Sequence, residues 1–244
     1  MPYALRYAGG GSFVGLTTPV TSPTSSIKIE VSFTYTSNIG VFSSVLYSST
    51  GNSRSQGSLR IQKNGDDGVN VLFTLSGKER VVNTIGNWVG SATPRKVTIE
   101  WDSVSQEITV FLDGVLQYTL TGYSTFLHSD IDSLGGRASS ANDLPFAGAL
   151  YGYSYEKDGA LLHRWLPSAV GAGLVLPDSV GSNDGVLTNF AAGDSHWVFF
   201  EGESPGLPAP AGVQGSIVNG QMSADWTAVP DATGYQVEFR RRCV

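Results

Sequence analysis

The sequence predicts an all-β fold, a two-sheet antiparallel jelly-roll sandwich with a small C-terminal β appendage. Two observations carry this prediction. Segments that alternate apolar and polar residues recur at strand length, with turn residues between them and no helix-forming runs. Gly accounts for 30 of the 244 residues and charged residues for only 15%, a composition typical of turn-rich β proteins.

The clearest strands lie in the middle of the chain. Apolar and polar residues alternate over three consecutive segments, residues 97–102, 108–112 and 116–120. Asp113-Gly114 supplies a hairpin turn between the last two, because a type I′ turn needs positive φ at both central residues. The alternation predicts that the third strand turns Leu116, Tyr118 and Leu120 to one face.

Further strands are predicted on both sides of this unit, at residues 3–8, 12–15, 27–33, 41–48, 59–62, 69–75, 80–83, 133–137, 146–155 and 196–201. Residues 161–166 are expected to form a strand or a short helix. The strand at 196–201 is expected to pair near the N-terminal strand, because domain termini often lie together. Trp101, Trp165, Trp197 and Trp226 lie in apolar patterns and are expected in the core.

The chain is expected to divide into three parts. Residues 2–202 form the sandwich, 203–210 a Pro-rich linker, and 211–244 a segment with strands at 213–217, 222–226 and 235–239. Cys243 is the only cysteine, so no intrachain disulfide can stabilise this last segment. About 35 residues rarely bury enough apolar surface to fold alone, so we expect no independent domain there.

Bulk properties exclude some classes of partner. The net charge is −6 and the only basic cluster is Arg240-Arg241-Arg242, which argues against nucleic-acid binding. No apolar run reaches ~18 residues, so no membrane insertion is expected. The N-terminus lacks the pattern of a signal peptide.

Several motifs resemble known families. KVTIEWDSVSQEITVFLDGVLQ, YALRYAGGGSFVGL, and SLGGR followed by LPFAGALYGYSYEKDG resemble laminin-G-like domains, which belong to the concanavalin A-like lectin/glucanase sandwiches. DSVGSNDGVLTNF resembles a segment common in phage tail and bacterial surface proteins of this type. Together they cover residues 2–200. Ala8 stands where the opening motif usually has Asp, which can support a turn or a cation in relatives.

A second resemblance covers the C-terminal segment. PAPAGVQGSIVNGQMSADWTAVPDATGYQVEFR resembles the first three strands of a fibronectin type III domain. Trp226 matches the Trp of the second strand, and Tyr235 falls where the third strand begins. Such a domain needs seven strands, so the segment is incomplete by that standard.

The resemblance to glucanases raises the question of catalysis. Those enzymes carry E-x-D-x-x-E on this strand, and Glu100 and Asp102 match its first two positions. Ser105 occupies the third position, and Glu107 is two residues too late. Because glycoside hydrolysis needs two carboxyl groups across the bond, we expect no enzyme activity.

Candidate ligand-binding residues are aromatic. Trp88 and its neighbour Asn87 lie in a loop rich in Gly and Asn, where an indole can stack on a sugar while amides bind hydroxyls. The alternative is a Trp folded over the core rim. Tyr151 could belong to a stacking platform with Tyr153 and Tyr155, although a core stripe explains the same spacing.

Metal ligation has weak candidates. Asn64, Asp66 and Asp67 could contribute oxygens to a Ca²⁺ site, but turn chemistry explains the same residues. The histidines, His128, His163 and His196, are widely separated and show no ligand spacing. We therefore expect no cofactor and no bound metal.

The sequence thus predicts a non-catalytic adhesion or recognition module of a virion, phage tail-associated or on another surface, that binds a host-surface glycan or protein. The alternatives are a structural decoration or cementing protein of an assembly and, less favoured, a glycoside hydrolase. The expected partners include other assembly subunits, with an oligomeric state. The expected location is the virion or an extracellular surface, reached by assembly or lysis.

Overall fold

The computed structural model describes residues 3–8, 11–21, 25–35, 44–48, 59–63, 69–75, 78–84, 93–124, 130–135, 146–167, 173–191, 193, 195–199, 214–218 and 221–225. Every regular element in these ranges is a β-strand, which confirms the all-β class. The strands are β1 (Tyr3–Ala8), β2 (Phe13–Val20), β3 (Ile27–Tyr35), β4 (Ser44–Ser48), β5 (Leu59–Lys63), β6 (Val69–Leu75), β7 (Lys78–Thr84), β8 (Arg95–Asp102), β9 (Glu107–Leu112), β10 (Val115–Leu120), β11 (Ile131–Leu134), β12 (Ala147–Lys157), β13 (Ala160–Trp165), β14 (Val175–Leu176), β15 (Gly185–Thr188), β16 (Trp197–Phe199), β17 (Gln214–Val218) and β18 (Gln221–Asp225).

The first sixteen strands form two antiparallel sheets of eight strands each. Sheet A has the order β10-β9-β8-β3-β12-β1-β16, and β13 also pairs with β12. Sheet B has the order β14-β15-β2-β11-β4-β5-β6-β7. The predicted two-sheet antiparallel sandwich is therefore confirmed.

The inner faces of both sheets build one apolar core. Sheet A contributes Ile29, Phe33 and Val110, and sheet B contributes Val14 and Ile61, all at most 1% exposed. The core positions of β3 and β8 follow the predicted alternation, since apolar side chains at every second residue point to the same face.

Aromatic rings fill the interior. Trp101, Trp165 and Trp197 are buried, at 3%, 0% and 5% exposure, so their predicted core role is confirmed, whereas Trp226 lies outside the described residues. The Phe146 ring meets the ring of Tyr7 edge-on with centroids 5.0 Å apart. Such edge-to-face pairs add stability beyond the buried area alone.

The predicted Asp113-Gly114 hairpin joins β9 to β10. Asp113 has φ 48° and Gly114 has φ 81°, the two positive values that a type I′ turn requires. The Asp113 carboxylate also accepts a hydrogen bond from the backbone N–H of Lys96, at 2.7 Å, and one from the Arg95 side chain. The turn is therefore tied to the neighbouring strand β8 as well.

Strand β10 departs from the predicted alternation. A register shift between Leu116 and Tyr118 adds one residue to β10, and β10 is the last strand of sheet A. Leu116, opposite Phe111, therefore faces outward and is 53% exposed, whereas Tyr118, opposite Val110, stays on the same face as Leu120 and is 50% exposed at the edge of the sheet. The prediction that Leu116 shares a face with Tyr118 and Leu120 was wrong, because a one-residue insertion reverses the alternation.

Two further predictions concern the ends of the sandwich. Residues 160–165 form a strand rather than a short helix, and this strand, β13, pairs with β12. β16 pairs antiparallel with β1, with Tyr3 opposite Phe199. The expected pairing near the N-terminal strand is confirmed.

The loop between β14 and β15, residues 178–184, ties the two sheets together. The Asp178 side chain is fully buried, and its carboxylate accepts backbone hydrogen bonds from Arg164 at 2.9 Å and Gly181 at 3.0 Å. The Asn183 side chain bonds both the N–H and the C=O of Thr18 in β2, at 2.8 and 2.6 Å. The loop thereby links β13 of sheet A to β2 of sheet B.

The chain divides into two compact units, Met1–Gly202 and Glu203–Val244. In the second unit β17 and β18 pair antiparallel, with Gln214 opposite Asp225. The strand predicted at residues 235–239 lies outside the described residues.

Candidate functional site

Most of the predicted site residues lie outside the part of the chain that the structure describes. These are Asn87 and Trp88 of the proposed sugar-binding loop, and Asn64, Asp66 and Asp67 of the weak calcium candidate. Tyr151 is the remaining candidate, and the structure places it on β12.

Tyr151 points away from the core because of a bulge in β12. The pairing with β3 shifts between Leu150 and Gly152, so Tyr151 is an extra residue in β12. Tyr151 is half-buried, whereas Tyr153 and Tyr155 are 2% and 1% exposed and lie in the core. The three tyrosines therefore do not share a face, and the predicted three-residue platform is wrong.

The Tyr151 side chain lies beside residues of two neighbouring strands. Arg6 of β1, Ala149 of β12 and Thr34 of β3 are direct cross-strand neighbours, so they form one row across the sheet. Desolvation by burial raises the pKa of Tyr151, while a side-chain hydrogen bond with Thr34 and the charge of Arg6 oppose the rise. Three strands therefore bring a phenol, a hydroxyl and a guanidinium together.

A second group of polar side chains lies on the same outer face, on β3 and β8. The Glu30 carboxylate oxygen Oε1 lies 3.3 Å from Nζ of Lys28 and 3.2 Å from Nζ of Lys96, and it accepts a hydrogen bond from Thr98. Burial raises the pKa of Glu30, but the charges of Lys96 and Lys28 outweigh it, so the net shift is downward. Glu30 is therefore held as the carboxylate.

The pKa of Lys28 moves the opposite way. Burial lowers it, and the charges of Glu30, Glu156 and Glu100 outweigh that effect and raise it. Both members of the pair thus favour their charged forms. The outer face of sheet A carries fixed cations, a fixed anion, hydroxyls and one half-buried aromatic ring, the kinds of group that bind a polar ligand.

The carboxylates that resemble a glucanase motif lie at the end of β8. Asp102 is the direct cross-strand partner of Glu107, which lies beyond the turn, two residues after the third position of the motif. The turn between β8 and β9 reverses the chain and places Glu107 opposite Asp102. The Asp102 carboxylate itself bonds the backbone N–H of Val104 at 2.7 Å, which is an ordinary turn-stabilising contact.

No family model and no curated protein matches the sequence. Solved structures do match the fold. A protein from Bacteroides ovatus ATCC 8483, whose name gives it a provisional carbohydrate-binding role, has a TM-score of 0.56 and 12% identity. The match covers 82% of this chain and 60% of that protein, so the chain spans less than two thirds of it. At this identity the match shows a shared fold alone.

More distant structures include carbohydrate-binding and laminin G domains. The CBM40 domain of the Ruminococcus gnavus IT-sialidase, solved with α2,3 sialyllactose, has a TM-score of 0.46 and 14% identity over 65% of this chain and 90% of that one. Mouse laminin α1 domains LG4-5 have a TM-score of 0.46 and 13% identity, and the match covers 66% of this chain and 42% of that one. The fold assignment depends on neither.

The two histidines in the described ranges, His163 and His196, make structural contacts. Nδ1 of His163 lies 2.6 Å from the buried Asp178 carboxylate, and the ring stacks on Trp165 with centroids 5.1 Å apart. His196 is buried, and its Nε2 lies 3.0 Å from the Gly173 carbonyl oxygen. His128 lies outside the described residues.

The described ranges offer neither a metal-binding cluster nor a membrane-spanning helix. They contain no group of three or more His, Cys, Asp or Glu side chains placed to hold a metal ion. They also contain no helix with the length and apolar character needed to cross a membrane.

Sequence reasoning missed Arg6, Thr34 and the Glu30 group as site residues. The alternation in β3 already indicated that Lys28 and Glu30 face away from the core. No sequence pattern indicated that Arg6, Thr34 and Tyr151 lie close together. Their proximity depends on the strand order β3-β12-β1 and on the bulge at Tyr151.

Proposed function

We propose that this chain is a non-catalytic carbohydrate-binding module and that the outer face of sheet A binds the glycan. The observation that carries the proposal is the placement of Tyr151. A bulge turns this half-buried ring out of the core and sets it beside Arg6 and Thr34. Sugars present flat C–H faces to aromatic rings and hydroxyls to polar side chains.

Glu30 adds a hydrogen-bond acceptor to the same face. All of its contacts converge on Oε1, and within the described residues Oε2 has no hydrogen-bond partner. A carboxylate fixed by two lysines accepts strong hydrogen bonds from sugar hydroxyls without first having to be ordered. The groups needed for sugar recognition are thus held in place before the ligand arrives.

The fold supports this role by analogy. The Bacteroides ovatus protein with the same fold carries a provisional carbohydrate-binding name. Fold does not fix function, so the proposal rests on the chemistry of the outer face.

We expect no hydrolysis of the bound glycan. Asp102 and Glu107 lie opposite each other, but the Asp102 carboxylate is occupied by the backbone of the β8–β9 turn. A reducing-sugar assay on β-glucans should show no turnover by the full chain. Turnover that the Glu100→Gln or Glu107→Gln change abolishes would instead favour the glycoside hydrolase alternative.

For the biological setting we propose adhesion at a surface, with the module part of a virion or of another extracellular assembly. The resemblance of residues 178–190 to phage tail and bacterial surface proteins supports this setting. The competing role is structural decoration or cementing of an assembly, for which the exposed apolar edge strand β10 would supply contacts. A glycan array separates the two roles, because a purely cementing protein should bind no glycan.

The site itself is tested by changing its aromatic residue. Tyr151→Ala should weaken binding of an array-positive glycan by ~1–3 kcal/mol, the range for a well-packed aromatic anchor. Tyr118→Ala is the matched control, because Tyr118 is an exposed tyrosine on the edge strand β10. Titration calorimetry that shows equal affinities for wild type and Tyr151→Ala would contradict this site.

The sequence candidate Trp88 can be compared in the same experiment. If the loop around Asn87 and Trp88 contributes, Trp88→Ala should lower affinity by a similar ~1–3 kcal/mol. A loss with Trp88→Ala but not with Tyr151→Ala would move the binding site to that loop.

A further inference from the structure

Arg6 is an exposed cation with no carboxylate partner among the described residues. It lies on the outer face of sheet A, between the buried residues Leu5 and Tyr7 of β1. Among the described residues its side chain makes no ion pair, and its charge acts on the Tyr151 phenol. The other cations discussed above, Lys28, Lys96 and Arg95, each have an acidic partner.

Among the described residues, the rows beside Arg6 on β12 and β3 carry no carboxylate. Its row across the sheet continues through Ala149 to Thr34. The next described row pairs Gly152 with Ser32 and Ser32 with Lys96. On β3 the first carboxylate on this face is Glu30, one row further on, and it already contacts two lysines, while Asp113, across from Lys96, is paired with Arg95. Within the described residues, Arg6 is therefore a cation without a neighbouring carboxylate, although the chain carries a net charge of −6.

A small residue and an aromatic ring lie beside Arg6. Ala149 separates Arg6 from Thr34 in the row across the sheet, and the Tyr151 phenol is hydrogen-bonded to Thr34. A pyranose that stacks on Tyr151 would bring a substituent to the guanidinium. Arginine binds planar anionic groups such as carboxylates through two parallel hydrogen bonds.

We propose that the glycan bound at this face is acidic, with a carboxylate or sulfate of one sugar residue held by Arg6 and its ring stacked on Tyr151. This inference rests on the proposed function. It adds a charge requirement, which a neutral-sugar site would not have. Because Arg6 is exposed, salt should weaken the binding.

The test uses the full chain and an array of matched glycan pairs. Oligosaccharides with one terminal uronic or sialic acid are printed beside their carboxyl-reduced counterparts, and sulfated oligosaccharides beside desulfated ones. Wild type should bind at least one acidic member and lose about tenfold or more in affinity on reduction or desulfation, as expected for losing hydrogen bonds to a charged group. Arg6→Ala should cause a similar loss for the acidic member and leave its neutral counterpart unaffected.

Arg164→Ala is the matched control. Arg164 is also exposed and faces outward from β13, opposite Ser154 of β12, whereas Arg6 is opposite Ala149. Ala149, opposite Arg6, and Ser154, opposite Arg164, are five residues apart along β12, which corresponds to roughly 16 Å. A single terminal sugar cannot reach both arginines. Arg164 shares its row with Glu30, so Arg164→Ala should leave the preference for the acidic over the neutral member of each pair unchanged.

The outcomes separate the two proposals. Equal binding to acidic and neutral partners, or equal losses of the preference for the acidic member with Arg6→Ala and Arg164→Ala, would overturn the acidic-ligand inference and leave carbohydrate binding standing. Absence of binding to every glycan on the array would overturn the proposed function together with the inference. Binding of an acidic glycan that Tyr151→Ala leaves unchanged would also contradict this site.

Discussion

Asp178 is the residue whose chemistry is best determined by the fold. Its buried carboxylate accepts hydrogen bonds from the backbone of Arg164, Val180, Gly181 and Asn183 and lies 2.6 Å from His163 Nδ1. Burial alone would raise the pKa of Asp178, but these hydrogen bonds outweigh burial and lower it from 3.8 to about 2. The carboxylate is therefore a structural group that joins β13 to the loop before β15.

This shift predicts how stability depends on pH. The pKa is lower in the folded protein than in the unfolded chain, so the unfolded chain takes up the proton first as pH falls. The contribution of Asp178 is complete above the ordinary value of 3.8 and is lost as pH falls through about 2. Asp178→Asn should cost about 2 kcal/mol of unfolding free energy at pH 7, and the difference from wild type should shrink at pH 2.

Urea denaturation at several pH values measures this difference. Asp158→Asn is the control, because Asp158 is exposed in a turn with φ 50°, a conformation that Asn tolerates. A difference between wild type and Asp178→Asn that stays constant from pH 7 to pH 2 would contradict the assigned pKa.

Gly181 is constrained by the same carboxylate. A Cβ atom there would lie 2.5 Å from Oδ2 of Asp178 and 2.8 Å from the carbonyl oxygen of Leu162. Gly181→Ala should therefore displace the loop and lower the melting temperature. At Gly15 a Cβ would meet only ordinary contacts, the nearest at 3.5 Å, so Gly15→Ala should melt close to wild type. Equal melting temperatures for the two variants would show that the loop yields without cost.

At the scale of the strands, the β9–β10 hairpin depends on its turn. Gly114→Val should destabilise the first unit by about 1–2 kcal/mol or more, because a β-branched residue is strongly disfavoured at its φ of 81°. Gly114→Asn is the milder comparison, since Asn adopts positive φ more readily. Thermal melting followed by circular dichroism measures both. A Val variant as stable as the Asn variant would contradict the turn.

The strands show which features of a β protein the sequence can predict. The hairpin was predictable because Asp113-Gly114 encodes the turn locally. The bulges in β10 and β12 were not, since one inserted residue leaves the local alternation intact on either side. The outward positions of Leu116 and of Tyr151 both follow from such insertions. Predicting the neighbourhood of Arg6 would also have required the long-range order of β3, β12 and β1.

At the scale of the whole chain, stability should reside in the first unit. All residues of the described core cluster lie within Met1–Gly202. A protein ending at Gly202 should therefore melt cooperatively and within a few degrees of the full chain. Residues 204–244 expressed alone should give poorly dispersed amide peaks in a proton–nitrogen NMR spectrum, because so short a chain buries little apolar surface. Well-dispersed peaks from a monomer would show that the segment folds unaided.

The pairing of β1 with β16 has a mechanical consequence. Tyr3 lies directly opposite Phe199, the described pairing runs to Leu5 opposite Trp197, and the Arg6 N–H donates to the His196 carbonyl oxygen just beyond it. A pulling force applied between residues 3 and 199 therefore acts perpendicular to the two strands. It breaks their hydrogen bonds one after another instead of loading all of them at the same time. β16 would detach first, and β1 would next be drawn from β12. A module attached to its neighbours at these two points would lengthen under low tension, from the edge of the sheet inward.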